Sequence, residues 1–383
     1  MIPIERVVML TATSKHMRTV LAGMAWLLPA HVCALKILRE MHAHDFTLSL
    51  ARVLQLRADA TRGAFRLLSW CDIVSLDLRC FWHAQTSHNM HDLPSVRGNQ
   101  QHPMQTLMNL LDGCTSLTKL NLASNDMDVQ CLQVMFERVL PEERVNSVTS
   151  YELRSISKPV RLNSLIVLDL HNNDLGTPGM AVLSKLMRAF TALTNLRISR
   201  NIMDGESLYH LCDYNNTGAG FAACTSLTVL DLHSNNVRSG WHYFGQLRKG
   251  LPLLTMLDVS NSFFREIRRS PFSHISGLTQ MLTMSPKLAM LDVSKSGIDT
   301  EEAVLLAELL RNAKCLQDVN LVHNKAEDDG AMHFLHCLAE CPKLTSLKLT
   351  ENNMSAYGKL KFKDAASMIT TLTKLPWDEI VSL

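Results

Sequence analysis

LIVLDLHNNDL, residues 165–175, places leucine at its first, fourth, sixth and eleventh positions and an asparagine, Asn173, at its ninth. Leu168 and Leu170 flank Asp169 at the two-residue period of a strand that buries one face. Asn173 then falls in a tight turn, where a buried amide side chain can satisfy backbone groups that the turn leaves without partners. The same spacing returns along the chain, so its unit of organisation is a repeat.

Downstream copies begin at Leu193 (LTNLRISRNIM, Asn201), Leu227 (LTVLDLHSNNV, Asn235), Leu254 (LTMLDVSNSFF), Leu288 (LAMLDVSKSGI), Leu316 (LQDVNLVHNKA, Asn324) and Leu344 (LTSLKLTENNM, Asn352). Upstream copies begin at Leu117 (LTKLNLASNDM, Asn125) and Ile73, with a degenerate unit at Asp45. From Leu165 onward the starts are 27 or 28 residues apart, or 34. The shorter interval leaves room for a helix of about ten residues after each strand, and PGMAVLSKLMRAF, TEEAVLLAELLRNAK and DGAMHFLHCLAEC read as amphipathic helices. In QCLQVMFERVL, Leu132, Met135, Phe136 and Val139 share a face at helical spacing. Wider gaps before Leu117 and Leu165 point to insertions near 83–105 and 141–159. The array therefore runs over 45–371, and Leu372, Leu375 and Trp377 suggest a closing half repeat at 372–383. Ser262 and Ser296 replace the expected asparagine, which predicts turns that are differently built or looser.

Units of this length with L-x-x-L-x-L-x-x-N-x-L, helices between the strands and CTSL at two repeat starts resemble the ribonuclease-inhibitor-like subclass of leucine-rich repeat proteins, over residues 45–377. The resemblance implies an α/β solenoid, a horseshoe of about ten repeats with a parallel sheet on the concave face and helices on the convex face.

Charge is nearly balanced, 38 Lys+Arg against 36 Asp+Glu, which gives no bulk electrostatic reason to expect nucleic acid or an anionic membrane as partner. Ten cysteines at ordinary spacing do not read as a disulfide framework, and Cys114 and Cys224 recur at equivalent repeat positions as small buried hydrophobes. A reduced, cytoplasmic location is expected. Residues 1–44 precede the array and contain an apolar run, 19–34, after Lys15 and Arg18. Pro29 and His31 interrupt that run, so a helical cap over the first repeat is expected, with a secretory signal or anchor as the alternative. A cap leaves Met1 on the mature chain whereas cleavage after Ala34 removes it, and amino-terminal sequencing separates the two.

On each strand, positions one, four and six point into the core while three, five and seven are left on the open face, and parallel stacking lines them into columns. The fifth-position column reads Asp77, Asn121, Asp169, Arg197, Asp231, Asp258, Asp292, Asn320, Lys348. Beside it the third position supplies Val167, Val229, Met256 and Met290, and the seventh His171 and His233. An apolar stripe next to carboxylates suits a protein partner with a basic surface; the simpler alternative is that these aspartates only bond their neighbours. Val167, Asp169, His171, Arg197, Val229, Asp231, His233, Met256, Asp258, Met290 and Asp292 are therefore the candidate partner-binding residues.

Chemistry-bearing constellations are weak. Cys80, His83, His88, His91 and His102 cluster in the first insertion but match no closed zinc site, so no metal is expected. His333, His336, Cys337 and Cys341 read as helix packing, and Gly218 to Ala223 matches a loose dinucleotide pattern but precedes a strand instead of following one. Walker, zincin and nucleophile-elbow motifs do not occur. The expected function is a non-enzymatic interaction scaffold without cofactor. A regulator of a small GTPase, which similarity to Ran GTPase-activating proteins would permit through Arg197, Arg200 or Asn201, is the runner-up, and an extracellular receptor ectodomain follows if 19–34 is a signal.

Overall fold

The computed structural model describes residues 75–79, 103–111, 117–140, 160–247, 250–262, 275–311, 313–338, 341 and 343–367. The segment 1–44, the unit at Asp45, most of the 83–105 insertion with its cysteine and histidine cluster, the 141–159 insertion and the half repeat at 372–383 lie outside the described residues.

Nine three-residue strands form one parallel sheet in chain order: β1 (Ser75–Asp77), β2 (Lys119–Asn121), β3 (Val167–Asp169), β4 (Asn195–Arg197), β5 (Val229–Asp231), β6 (Met256–Asp258), β7 (Met290–Asp292), β8 (Asp318–Asn320) and β9 (Ser346–Lys348). Pairing is in repeat register throughout, with Leu120 opposite Leu168, Leu168 opposite Leu196 and Leu230 opposite Leu257. That register follows from burial: a slip of one residue would turn every leucine to solvent. Among the described residues the sheet is open, its first and last strands each paired on one side only.

Helices return the chain on the other face: α1 (Pro103–Leu110), α2 (Val129–Val139), α3 (Gly176–Leu186), α4 (Gly205–Leu211), α5 (Ile275–Thr283), α6 (Thr300–Leu310), α7 (Glu327–Leu338) and α8 (Ala356–Ser367). Helix α1 begins two residues inside the carboxyl end of the expected first insertion. Aspartates that follow the turns cap several helices. Asp128 accepts from Cys131 N–H, and Asp204 and Asp299 form capping boxes with Ser207 and Glu302. Leucines of the strands and apolar residues of the helices make one continuous core, in which Leu132, Met135, Phe136 and Val139 of α2 are all buried.

The expectation of an α-helix after each strand fails after β5, where Arg238–Gln246 is a 3-10 helix. Close packing sets this geometry. A Cβ on Gly240 would lie 2.2 Å from the Gly205 carbonyl oxygen, and one on Gly277 would lie 2.4 Å from His242. Only glycine lets the three neighbouring units approach so closely, while Trp241 and Phe244 fill the core beneath.

Strands β2 to β9 are each followed by a left-handed residue. Ser124, Asn172, Arg200, Ser234, Asn261, Lys295, His323 and Glu351, all at the eighth position, have φ between 50° and 60°. Their N–H groups continue the inter-repeat ladder: Asn172 donates to Ser199 O at 2.9 Å and Lys295 to Val322 O at 2.9 Å. The chain then turns over the ninth-position asparagine. Asn173 is 2% exposed; its Nδ2 donates to Leu170 O (2.8 Å) and Leu122 O (3.1 Å), and its Oδ1 accepts from Asn125 N and Met127 N, both at 3.0 Å. Asn235, Asn324 and Asn352 bridge adjacent turns in the same way.

The serine units keep this backbone. Asn261 and Lys295 still take the left-handed conformation, and Ser262 and Ser296 are fully buried. The expected looser turn is therefore corrected to a turn of the same shape with fewer side-chain bonds, because a hydroxyl is shorter than an amide. Ser262 Oγ donates to Val259 O at 2.6 Å within its own turn, and Ser296 Oγ to Val259 O at 3.2 Å across one step.

Replacing Asn173 by alanine strands the Asn125 and Met127 N–H groups in the interior, while Leu122 O and Leu170 O keep the Asn125 and Asn201 amides, and should cost about 3 kcal/mol. Asn173→Ser should recover only a small part of that cost, because a hydroxyl here donates to carbonyls, as in Ser262 and Ser296, and leaves the two N–H groups stranded. Urea unfolding of both variants checks the order.

Candidate functional site: the concave face

The open face of the sheet brings the candidate residues together in columns. Val167, Val229, Met256 and Met290 share the third position, with Asn195 between the two valines, and Asp169, Arg197, Asp231, Asp258 and Asp292 follow one another at the fifth. Met290 is 44% exposed, and the other three apolar residues are half-buried. The strand core of Leu168, Leu196, Leu230, Leu257 and Leu291 behind them is buried, so the columns stand on a packed floor.

The aspartates divide their oxygens between two tasks. In every acidic unit Oδ1 accepts the N–H two residues on: Asp77 from Arg79, Asp169 from His171, Asp231 from His233, Asp258 from Ser260 and Asp292 from Ser294, at 2.9–3.1 Å. Asn121 and Asn320 do the same with an amide oxygen. These bonds brace the exit of the strand into the left-handed turn, the Asx-type closure available to Asp and Asn alone. The other oxygen runs along the column. Asp231 Oδ2 accepts from Ser199 Oγ at 3.2 Å, Asp292 Oδ2 from Asn320 Nδ2 at 2.7 Å, and Asp169 Oδ2 lies 3.8 Å from Arg197. One oxygen thus serves the strand exit, and the second bonds or faces a neighbour along the column.

Burial, and then repulsion from Asp292 and Asp231, push the Asp258 carboxyl above its ordinary value, against the lowering effect of Ser260. His171 and His233 reach over the fully buried Ser199, their ring centroids 5.6 Å apart. His171 Nδ1 bonds Ser199 Oγ at 2.8 Å, and His233 Nδ1 bonds Ser234 Oγ at 2.9 Å. Partial burial and the neighbouring His233 lower the His171 pKa, against the pull of Asp169 and Asp231. Arg197 is half-exposed and leans toward Asp169. Arg200 is exposed at the rim, but Asn201 is fully buried as a turn asparagine and presents nothing to a partner.

Two features of this face were not anticipated. The eighth-position row, with Arg200, Lys295 and His323, forms a polar rim beside the seventh column; its only sequence signal is its place one residue before the asparagine. A threonine row at the second position also seals the strand entrances. Thr228 Oγ1 donates to Thr194 O and Thr255 Oγ1 to Thr228 O, each at 3.0 Å.

Elsewhere, Cys337 and Cys341 are buried, and Cys341 Sγ donates to Leu310 O. Burial pushes the Cys224 thiol up to about 12 and that of Cys131 to about 11. Residues Gly220–Ala223 form a short 3-10 helix leading into a strand. Among the described residues no group of three or more His, Cys, Asp and Glu has the arrangement of a metal site, and no helix is long and apolar enough to cross a membrane.

The carboxylate column makes a pH prediction. A raised Asp258 pKa means that the folded state opposes ionisation, so the group lowers stability above its folded pKa, and that penalty is relieved as pH falls through it. Asp258→Asn keeps the Oδ1 acceptor for Ser260 N–H and removes the repulsion; it should stabilise the fold at neutral pH by about 0.5 kcal/mol. A lowered His171 pKa has the opposite slope, since stability falls as pH drops below the ordinary histidine range toward the folded pKa. Thermal melts of the wild type, Asp258→Asn and His171→Asn across the acid range resolve the two terms.

A family described as Leucine Rich repeat matches residues 113–129, which span the end of the approach to β2, the strand and its turn. No curated protein sequence matches the chain. Among solved structures, similarity is found to internalin C2 from Listeria monocytogenes at 18% identity and a TM-score of 0.37, covering 72% of this chain and 83% of that one. The TLR13–ssRNA13 complex is similar at 16% identity and 0.40, covering 85% and 37%. Leiomodin-1 actin-binding site 2 is similar at 19% identity and 0.29, covering 35% and 75%. With its nine in-register described strands, its turn asparagines and the matched segment, the chain has the leucine-rich repeat fold.

Proposed function

We propose that this chain is a non-enzymatic interaction scaffold whose concave face docks a protein partner bearing a basic surface. The observation that carries the reading is the juxtaposition of Val229, Met256 and Met290 with Asp231, Asp258 and Asp292, each aspartate already held by one oxygen. Preorganised carboxylates and exposed apolar side chains lose little freedom on docking, which favours affinity per contact. Partner lysines or arginines would add charge-assisted hydrogen bonds to the second oxygens, with the His171–His233 pair and Arg197 marking the amino-proximal end of the surface. The repeat length and helical returns support placing the array in the ribonuclease-inhibitor-like subclass. Buried, protonated thiols at Cys131, Cys212 and Cys224 support a reduced, cytoplasmic setting. Nucleic acid is not the proposed ligand, because the exposed column is acidic.

The combined variant Asp231→Asn, Asp258→Asn, Asp292→Asn keeps the turn bonds and removes three charges. It should fold normally, and its affinity for the native partner recovered by proximity labelling should drop by at least about tenfold. A partner that binds the triple variant and the wild type equally would remove the concave reading.

A further inference from the structure

The helical side of the array carries an aromatic cluster that reaches from the core, where Tyr243 packs, to the surface. The unit begun by Leu193 is 34 residues long, and its extra chain lies between α4 and the short 3-10 helix at Gly220–Ala223. This excess is tightly built. Asp213 Oδ1 accepts from Thr217 N (2.7 Å) and Thr217 Oγ1 (2.6 Å), Asp213 Oδ2 accepts from Gly218 N (2.7 Å), and Arg188 reaches across to Thr217 O (3.0 Å). Asp213, Asn216 and Gly218 all hold positive φ. The loop buries no large side chain. Its aromatic residue, Tyr214, is 50% exposed.

Tyr214 instead completes a cluster drawn from two units. Its ring lies 4.8 Å from Tyr209 of α4 and 5.7 Å from Tyr243 of the neighbouring 3-10 helix; Tyr209 and Tyr243 are 5.6 Å apart, and His242 stacks on Tyr243 at 3.9 Å. Tyr243 meets both other tyrosines nearly edge-on, at 80° and 83°; Tyr214 is the exposed ring of the group, and Tyr209 and Tyr243 are half-buried. Tyr209 Oη donates to Asn215 Oδ1 at 3.0 Å, tying the loop to α4. Exposed Glu206 stands one helical turn before Tyr209 on α4. Partial burial, then Tyr214, then the Glu206 carboxylate push the Tyr243 phenol above its ordinary value. The one arginine at this loop, Arg188, is engaged with the Thr217 carbonyl.

We propose that Tyr209, Tyr214 and Tyr243 with Glu206 form a second binding surface, separate from the concave face, that takes an arginine-bearing segment of a partner protein. Tyrosine faces attract a guanidinium through the ring quadrupole, and a flanking carboxylate supplies the counter-charge. Rigid aromatic rings hold little conformational freedom to lose, which is why tyrosine is enriched where proteins meet. A partner that is only apolar would leave Glu206 uncompensated at the edge of the contact.

The probe is a short peptide with three arginines, compared with its citrulline twin, which has nearly the same shape without the charge. Titrations are followed by calorimetry on the full chain at physiological salt. The arginine peptide should bind at least about fivefold more tightly than the citrulline peptide. Tyr214→Ala and Glu206→Gln should each remove most of that difference, and thermal melts check that both variants stay folded. Both changes lie on the surface, so they should. The same titrations in the concave triple variant at Asp231, Asp258 and Asp292, which removes the other acidic face a basic peptide could use, should keep the preference for the arginine peptide. Equal affinity for the two peptides, no binding, or loss only in the concave variant overturns the proposal.

Discussion

The structure rests on the requirement that backbone polar groups buried in a turn must find partners. Three-residue strands are too short to hold a chain by ladder bonds alone, and each must be followed by a tight reversal out of the sheet. A left-handed residue at the eighth position keeps the ladder running for one more bond, and the ninth-position asparagine then supplies both donors and an acceptor in the dry interior between turns. An amide is the side chain that does this in both directions from one place. The serines at 262 and 296 serve the carbonyl half of the job only, and the sheet register on either side holds them in shape.

The same economy explains why the concave face is hard to read as simply structural or simply functional. An aspartate at the fifth position braces the strand exit with one oxygen, which would account for its recurrence without any partner. Asn121 and Asn320 do the same without charge, so the bracing alone does not require a carboxylate. Five carboxylates among nine such positions, with Met256 and Met290 beside three of them, are what distinguish this face from a neutral one. The two surfaces also differ in kind: the concave one is a regular lattice of repeat positions, whereas the tyrosine surface is made by one irregular loop folding back on its own unit and meeting the next.

Much of this was legible in the residues. Period-two leucines, the recurring asparagine and the 27- and 28-residue spacing determined strand positions, parallel register and the identity of the columns, because a buried leucine allows only one phase. The helices of the well-spaced units followed from apolar periodicity in the same way. Where the reading missed, the cause was a contact and not a local preference. The residues after β5 form a 3-10 helix where Gly240 and Gly277 let neighbouring backbones approach, a contact between adjacent units that no window of that segment contains. The Ser262 and Ser296 turns keep their form because their neighbours in the stack impose it.

What the sequence determined by itself, then, was the repeat, its phase and which side chains lie inside or outside, all consequences of hydrophobic periodicity within single units. Only the tertiary structure decided what those outward side chains are doing. It showed that Asp258 has one oxygen committed to Ser260, that His171 and His233 meet over Ser199, and that Tyr214 closes on Tyr209 and Tyr243. These are distances between residues of different repeats or across a folded loop, and sequence spacing does not encode them, because they arise from how one unit's backbone places its side chains against the next.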